Sequence, residues 1–374
     1  MLVRISGEIK NYPWGSKNLI QNHFGIGSDV EPLAEVWFGT HDGGQSKLLT
    51  SGQSLADAIG TKLSFLVKFL AADSPLSIQV HPNSSQAKAG FAKENAAGVS
   101  LSAEERTYKD DSHKPEILIA LTAFEALCGV RPRAQVLEIF QAFAESEPRF
   151  VELEALAATD ATTEEIFSAL LADQALAERF SSTVQAHPGD SLAEQARTLV
   201  FGLLEKYPGD TGALVALLLN HVRLSAGEAI YLPAGNLHAY LSGLGLEVMA
   251  ASDNVLRGGL TSKHIDKAEL MQIADFSELT NPVVVAKKLA EGLVEYPVAA
   301  SEFRVYRAQI TGANLLADLD LPAGAVVVCV SGEVAIGTSL EEREVLKKGE
   351  VVFLSEAKKF SLSGSGEAFV VLGT

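Results

Sequence analysis

The run Gly227-Glu-Ala-Ile-Tyr-Leu-Pro233-Ala-Gly235-Asn-Leu-His238 joins a turn glycine, a strand-length apolar stretch, a Pro-Gly turn and one histidine. That spacing suits a small antiparallel β unit that brings an imidazole inward at its open end. Two upstream segments hold further ligand types. Gln79 and His81 are two apart in a strand-like stretch, so they share one face while Val80 points into a core. Glu116 closes His113-Lys114-Pro115-Glu116 and opens the apolar run Ile117-Leu-Ile-Ala-Leu. If that run is a strand, Lys114 and Glu116 share a face at its mouth and His113 points away. Two histidines, a carboxylate and an amide oxygen suit Zn²⁺, Mn²⁺, Fe²⁺ or Co²⁺. The lack of a cysteine ligand and the weak neutral Gln fit a catalytic site with an open position better than a closed structural one. Each segment alone has a plainer reading, as a solvated strand face, a satisfied core histidine or a salt-bridged strand start. Their combination favours a metal centre.

A second cluster follows His238. Ser252-Asp-Asn-Val-Leu-Arg257-Gly-Gly-Leu-Thr261-Ser262-Lys263 sets two cations among glycines and hydroxyls. It reads as a flexible loop able to hold a phosphate or sugar hydroxyls. The Walker spacing of a nucleotide-binding loop is absent.

These residues need elements to hold them. Glu35–Gly39, Phe65–Leu70 and Leu76–Val80 have strand length and turn punctuation, and Ser85–Asn95 has the spacing of a short surface helix. Near Arg131-Pro132 the pattern changes. Val136, Ile139, Phe140 and Phe143 follow helical periodicity, as do Glu164–Ala172, Leu192–Lys206 and Thr211–Leu219. Thr163 and Ser191 are the expected N-caps, and Pro208-Gly209 ends one helix. Strands return from about 223, at Leu224–Leu232, Leu237–Leu241 and Leu244–Met249. A faint repeat relates Leu224-Ser-Ala-Gly-Glu-Ala-Ile-Tyr-Leu-Pro to Leu346-Lys-Lys-Gly-Glu-Val-Val-Phe-Leu-Ser. No histidine follows the second copy, so one live and one structural β unit are expected. Chance similarity between two strand-turn units remains the competing explanation. The fold class is mainly β with a helical insertion. Two cupin-type jelly-roll β domains plus an α-helical domain are expected. The divisions are 1–130 and 223–290 for the catalytic β domain, 131–222 for the helices, and 291–374 for a β domain without metal ligands.

Composition narrows the partners. With 374 residues more than one core is expected. A net charge of −17 argues against nucleic acid, which needs a basic face. A small anionic substrate requires local cations such as Arg257 and Lys263. No apolar stretch approaches the ~20 residues of a membrane span, and the N-terminus lacks a signal-peptide core, so a cytoplasmic monomer without membrane contact is expected. Cys128 and Cys329, the two cysteines, sit in apolar runs and read as core residues.

Taken together, Tyr12-Pro-Trp14-Gly15-Ser, Ala34-Glu35-Val-Trp37-Phe-Gly39-Thr-His41, Leu76-Ser77-Ile-Gln79-Val-His81-Pro82, His113-Lys114-Pro115-Glu116 and the segment from His238 to Lys263 resemble the type I mannose-6-phosphate isomerase (phosphomannose isomerase) family over essentially the whole chain. The resemblance implies a zinc enzyme, with one Zn²⁺ held by Gln79, His81, Glu116 and His238. It implies catalytic roles for Arg257, Lys114 and Glu247, and pocket roles for Ser77, Tyr240, Lys263 and Trp14. The implied reaction interconverts mannose 6-phosphate and fructose 6-phosphate by proton transfer between C1 and C2 through a cis-enediol. Glu247, Lys114 or a zinc-bound water would be the base, and Lys114 or His113 would assist ring opening. The chain departs from the family at Ser262, where proline is usual, and at Asp42-Gly-Gly after His41. Two rivals stand beside this reading: an iron oxygenase built on two His and one carboxylate, and a non-catalytic sugar-binding protein. Gln79, Lys114 and the Arg257–Lys263 loop argue against both.

Overall fold

The computed structural model describes residues 1–374 except 29, 187, 313–314, 318–323, 339–341, 356–359 and 374. Strands dominate, and they form two large sheets. The sheet that carries the candidate ligands is organised around one long strand, His238–Ala250. The expected separate strands at 237–241 and 244–249 are this single strand. Its first part pairs with Phe124–Val130, and its later part lies between Phe65–Ala72 and Glu116–Ala120. The register shifts between Tyr240 and Ser242, beside Gly243 at φ +118°. A Cβ at Gly243 would stand 2.6 Å from the Ala123 carbonyl oxygen. Glycine therefore lets one strand serve two directions of pairing.

Strands Phe65–Ala72 and Glu116–Ala120 are buried at every position. They read as continuous apolar runs because both faces are covered. On one side Val67, Phe69, Ile117 and Val248 pack against Val305, Val326, Val328 and Phe369 of the second sheet. That sheet is built mainly from the C-terminal region, but Leu2–Ser6 and Lys47–Leu48 also pair into it. Sheet membership thus does not follow the expected division at 130 and 291.

The expected helical block is present. Val136, Ile139, Phe140 and Phe143 of Arg133–Ala144 are buried and pack with Phe150 and Phe180. The cap of Thr163–Ala172 is Thr162, one residue earlier than expected; its hydroxyl accepts from Glu165 N while Glu165 closes the box. Ser191 caps Leu192–Lys206 in the same way through Glu194. The stretch 211–219 is a short helix and a 3₁₀ turn, and the strand Leu219–Leu224 begins four residues before the expected return. Ser84–Ala96 is helical, as expected.

The repeat holds locally. Gly227 and Gly349 turn with φ +89° and +88°. Glu228 accepts from Ser225 N at 2.8 Å, and Glu350 from Lys347 N at 2.7 Å. Among the described residues no helix is long and apolar enough to cross a membrane.

Candidate metal centre and substrate cleft

His81, Glu116 and His238 converge, all buried. His81 Nε2 and His238 Nε2 lie 3.4 and 3.5 Å from the same oxygen, Glu116 Oε2. Donors about 2.1 Å from one tetrahedral ion stand roughly 3.4 Å apart, so the three atoms have the spacing of ligands around a common ion. His81 Nδ1 lies 2.7 Å from the Asn254 carbonyl oxygen, and His238 Nδ1 lies 2.9 Å from that of Asn236. A carbonyl only accepts, so each Nδ1 carries the proton and each Nε2 turns its lone pair to the cluster. His81 Nε2 is buried without a hydrogen-bond partner, a cost that a cation would remove. Burial pushes His81 down to about 4 against the opposing pull of Glu116, so the ring is neutral near pH 7. Burial alone would raise Glu116, but the Lys114 ammonium, 2.8 Å from Oε1, holds it well below the usual carboxylate range.

Backbone pairing accounts for this convergence. Gln79 sits opposite His238 on one side and Arg257 on the other. Directly paired residues in antiparallel strands project to the same face, so Gln79 links the cluster to the cationic segment. That segment is less of a loop than expected. Leu256–Gly259 is a strand paired with Ile78–Val80. Ser252 and Asn254 are buried. The Asn254 side chain accepts from Lys109 N at 2.7 Å and donates to Asp110 O and Ser112 O, both at 2.8 Å. The far end is pinned by Asp210, whose carboxylate accepts from Leu260 N and Thr261 N, each at 3.0 Å.

Beneath the cluster lies a buried polar network. Lys68 Nζ is 2.9 Å from Glu247 Oε2 and 3.7 Å from Glu35 Oε1. Tyr240 donates its hydroxyl to Glu247 Oε1 at 2.8 Å, and Trp37 donates its indole N–H to Glu35 Oε2 at 2.8 Å. Burial would discharge Lys68, but Glu247 and Glu35 outweigh it and keep the ammonium protonated. Burial raises Glu247 above the usual carboxylate range despite Lys68. Counting Glu116 and Lys114, three buried carboxylates face two buried ammoniums. One negative charge remains in excess, the sign that a divalent cation offsets.

A cleft of about 660 Å³ opens over Gln79. Trp14, Ser77, Arg257 and Lys263 line it, together with Glu35, Lys206 and Tyr207. Among the described residues neither Arg257 nor Lys263 has an ion pair. Burial lowers the Arg257 pKa, and the Arg257 charge followed by burial lowers that of Lys263. Two close, unpaired cations form a ready anion site. Tyr240, Lys114 and Glu247 are buried and do not line the cleft; Lys114 pairs with Glu116, and Tyr240 with Glu247. His113 is turned away, 2.5 Å from Glu302 Oε1, and does not join the cluster; its expected help with ring opening has no support in this geometry.

Sequence reasoning gave no role to Lys68, Glu35, Asp210, Asn254 or Tyr207. Lys68 had a signal, since a lone lysine in Phe65-Leu-Val-Lys-Phe-Leu-Ala-Ala must be buried with a partner if the run is a central strand. Asp210 and Asn254 act through backbone groups distant in sequence, which leaves no local trace.

The fold and site define a mainly β protein with a buried two-histidine, one-carboxylate ligand set beside a cationic cleft. Residues 2–133 match the family model of the type I phosphomannose isomerase catalytic domain. The mannose-6-phosphate isomerase of Salmonella typhimurium is 35% identical, over 97% of each chain. That of Escherichia coli is 33% identical, over 94% of each. A solved structure of a zinc-bound mannose 6-phosphate isomerase superposes with a TM-score of 0.88 at 33% identity, covering 100% of this chain and 99% of its own. The chain belongs to the mannose-6-phosphate isomerase family, whose members are aldose–ketose isomerases.

Proposed function

We propose that the chain is a zinc-dependent isomerase that interconverts mannose 6-phosphate and fructose 6-phosphate by proton transfer between C1 and C2 through a cis-enediol. The observation that carries this reading is the sharing of Glu116 Oε2 by His81 and His238, next to the unpaired Arg257 and Lys263. Gln79, His81, Glu116 and His238 would hold the ion. When bound, Zn²⁺ supplies Lewis-acid stabilisation of developing negative charge on sugar oxygen. Arg257 and Lys263 bind the anionic substrate, and Ser77 and Trp14 shape its cleft. Glu247 is a fit base for the carbon-bound proton, because a raised carboxyl pKa lies nearer working pH. Lys68 and Tyr240 fix its two oxygens. Lys114, beside Glu116, is the alternative base and the group placed to move a proton during ring opening. The same reading divides the molecule into a catalytic cupin-type jelly roll, a helical domain at 131–222 and a metal-free cupin-type domain near 291–374. It places the enzyme in the cytoplasm as a monomer. The matching turns at Gly227 and Gly349 support the division.

Arg257→Ala tests the substrate assignment. Turnover should fall by about 100-fold or more, the order of one lost charge-assisted contact in the transition state, while zinc content stays at one per chain. An unchanged rate would remove Arg257 from catalysis.

A further inference from the structure

Arg131 sits where the strand Phe124–Val130 runs into the helix Arg133–Ala144, and it is only 3% exposed. Its Nε and Nη2 both donate to the Leu219 carbonyl oxygen, at 2.9 and 2.5 Å. A guanidinium carries five N–H donors, so three remain. Among the described residues no carboxylate pairs with it, and burial pushes its pKa down to about 10 with no opposing charge. Beside it opens a cavity of about 70 Å³, walled also by Gln135, Gln195, Leu199, Asn220 and His221. Glu125, the acid that pairs with the wall residue His221, is held by it at 3.0 Å and by Arg223 at 3.4 Å.

We propose that this cavity binds a small oxyanion of the phosphate or carboxylate class, held by the Arg131 guanidinium with the side-chain amides of Gln135 and of Gln195, whose Nε2 also donates to the Asp190 carbonyl oxygen at 2.9 Å. A buried cation without a counter-charge is costly unless something pairs with it, and a planar guanidinium presents two parallel donors to an oxyanion. The cavity, about 70 Å³ and open on the side of the exposed Gln135, has room for a small anion beside Arg131. None of its walls is shared with the substrate cleft. Gln195 and Leu199 come from the helix Leu192–Lys206 and Gln135 from Arg133–Ala144, while Asn220 and His221 lie on Leu219–Leu224, the edge strand of the site-bearing sheet. A bound anion therefore ties the helical block to that sheet.

The test is calorimetric melting of zinc-loaded Arg257→Ala/Lys263→Ala protein, in which both cations assigned to the substrate are removed from the cleft, and an anion response counts for this cavity only where Arg131→Met abolishes it. Chloride, inorganic phosphate and acetate are compared at equal ionic strength. A melting temperature that rises saturably with phosphate assigns the tetrahedral anion, and a rise with acetate assigns the carboxylate. Gln195→Glu on the same background places a carboxylate in the cavity. It should melt higher in chloride and lose the anion response. Arg131→Met should also lose the response. No rise with either anion, or an unchanged response in the Gln195→Glu protein, would overturn the proposal. Turnover plays no part in the readout, so this outcome is separate from the fate of the isomerase assignment.

Discussion

At the scale of residues, charge and tautomer decide what the centre can do. His238→Ala removes one of three converging donors, and the protein should lose zinc by elemental analysis; full occupancy would refute that ligand. The metal-free protein should also be acid-sensitive in a defined window. Folded His81 titrates near 4 and an unfolded histidine near about 6.5, so unfolding takes up a proton between these values. Its contribution is complete above about 6.5 and is lost as pH falls toward 4, on the order of 3 kcal/mol. Glu116, held below its ordinary value, adds a loss of the same sign at lower pH. Glu247, raised by burial, works in the opposite direction, so denaturant titrations at pH 7 and pH 4.5 compare the apoprotein with a His81→Gln variant, and an equal pH dependence in the two would contradict a neutral buried His81. Lys68→Met should cost about 3–5 kcal/mol, because it strands Glu247 and Glu35 without their cation. A loss below about 1 kcal/mol in the same titrations would show that the network does not depend on it. The ligand residues were legible because few residue types bind metals and each stood in a distinctive short segment. Lys68 and Glu35 were overlooked because their meaning depends on facing each other across strands.

At the scale of elements, the site is a product of strand register. Gln79 meets His238 and Arg257 only because Ile78–Val80 pairs with both of their strands. The sequence pattern located the strands at 76–80 and 237–241 but read the Arg257 segment as a loop, and it named no partners, since alternation reports a face and not a neighbour. It also divided His238–Ala250 into two, because Ser242-Gly243 reads as a break while the structure uses it as a bend. The helices Arg133–Ala144, Thr163–Ala172 and Leu192–Lys206 were legible from period and caps, with the cap of the second displaced by one residue, whereas Arg149–Ala157 and Gln174–Thr183 were not read. Thr162→Ala and Ser191→Ala should each cost about 1 kcal/mol by removing a capping box. Thermal unfolding checks this, and Thr163→Ala should be close to neutral. If Thr163→Ala proved the costlier change, the observed cap would be misassigned. The cationic segment looked flexible because glycine and serine dominate it. Asp210 and the Asn254 side chain hold it through backbone N–H groups and carbonyls that no sequence pattern exposes.

At the scale of the whole molecule, the proposed function requires a chain of charge −17 to receive an anion through a local reversal of field, and Arg257 and Lys263 are unpaired cations at the cleft among the described residues. The two sheets are joined through an apolar layer, and the N-terminal strand Leu2–Ser6 pairs with Val351–Leu354 near the other end of the chain. That long-range pairing was invisible in the sequence, where 1–130 read as one block. The most direct test of the account is conversion of mannose 6-phosphate to fructose 6-phosphate by the purified protein, measured as prepared, after complete chelation and after zinc is restored. The account predicts activity that disappears with the metal and returns with it. Full activity in metal-free protein would remove the Gln79, His81, Glu116 and His238 centre from catalysis, and no activity in folded, zinc-loaded protein would contradict the isomerase assignment itself.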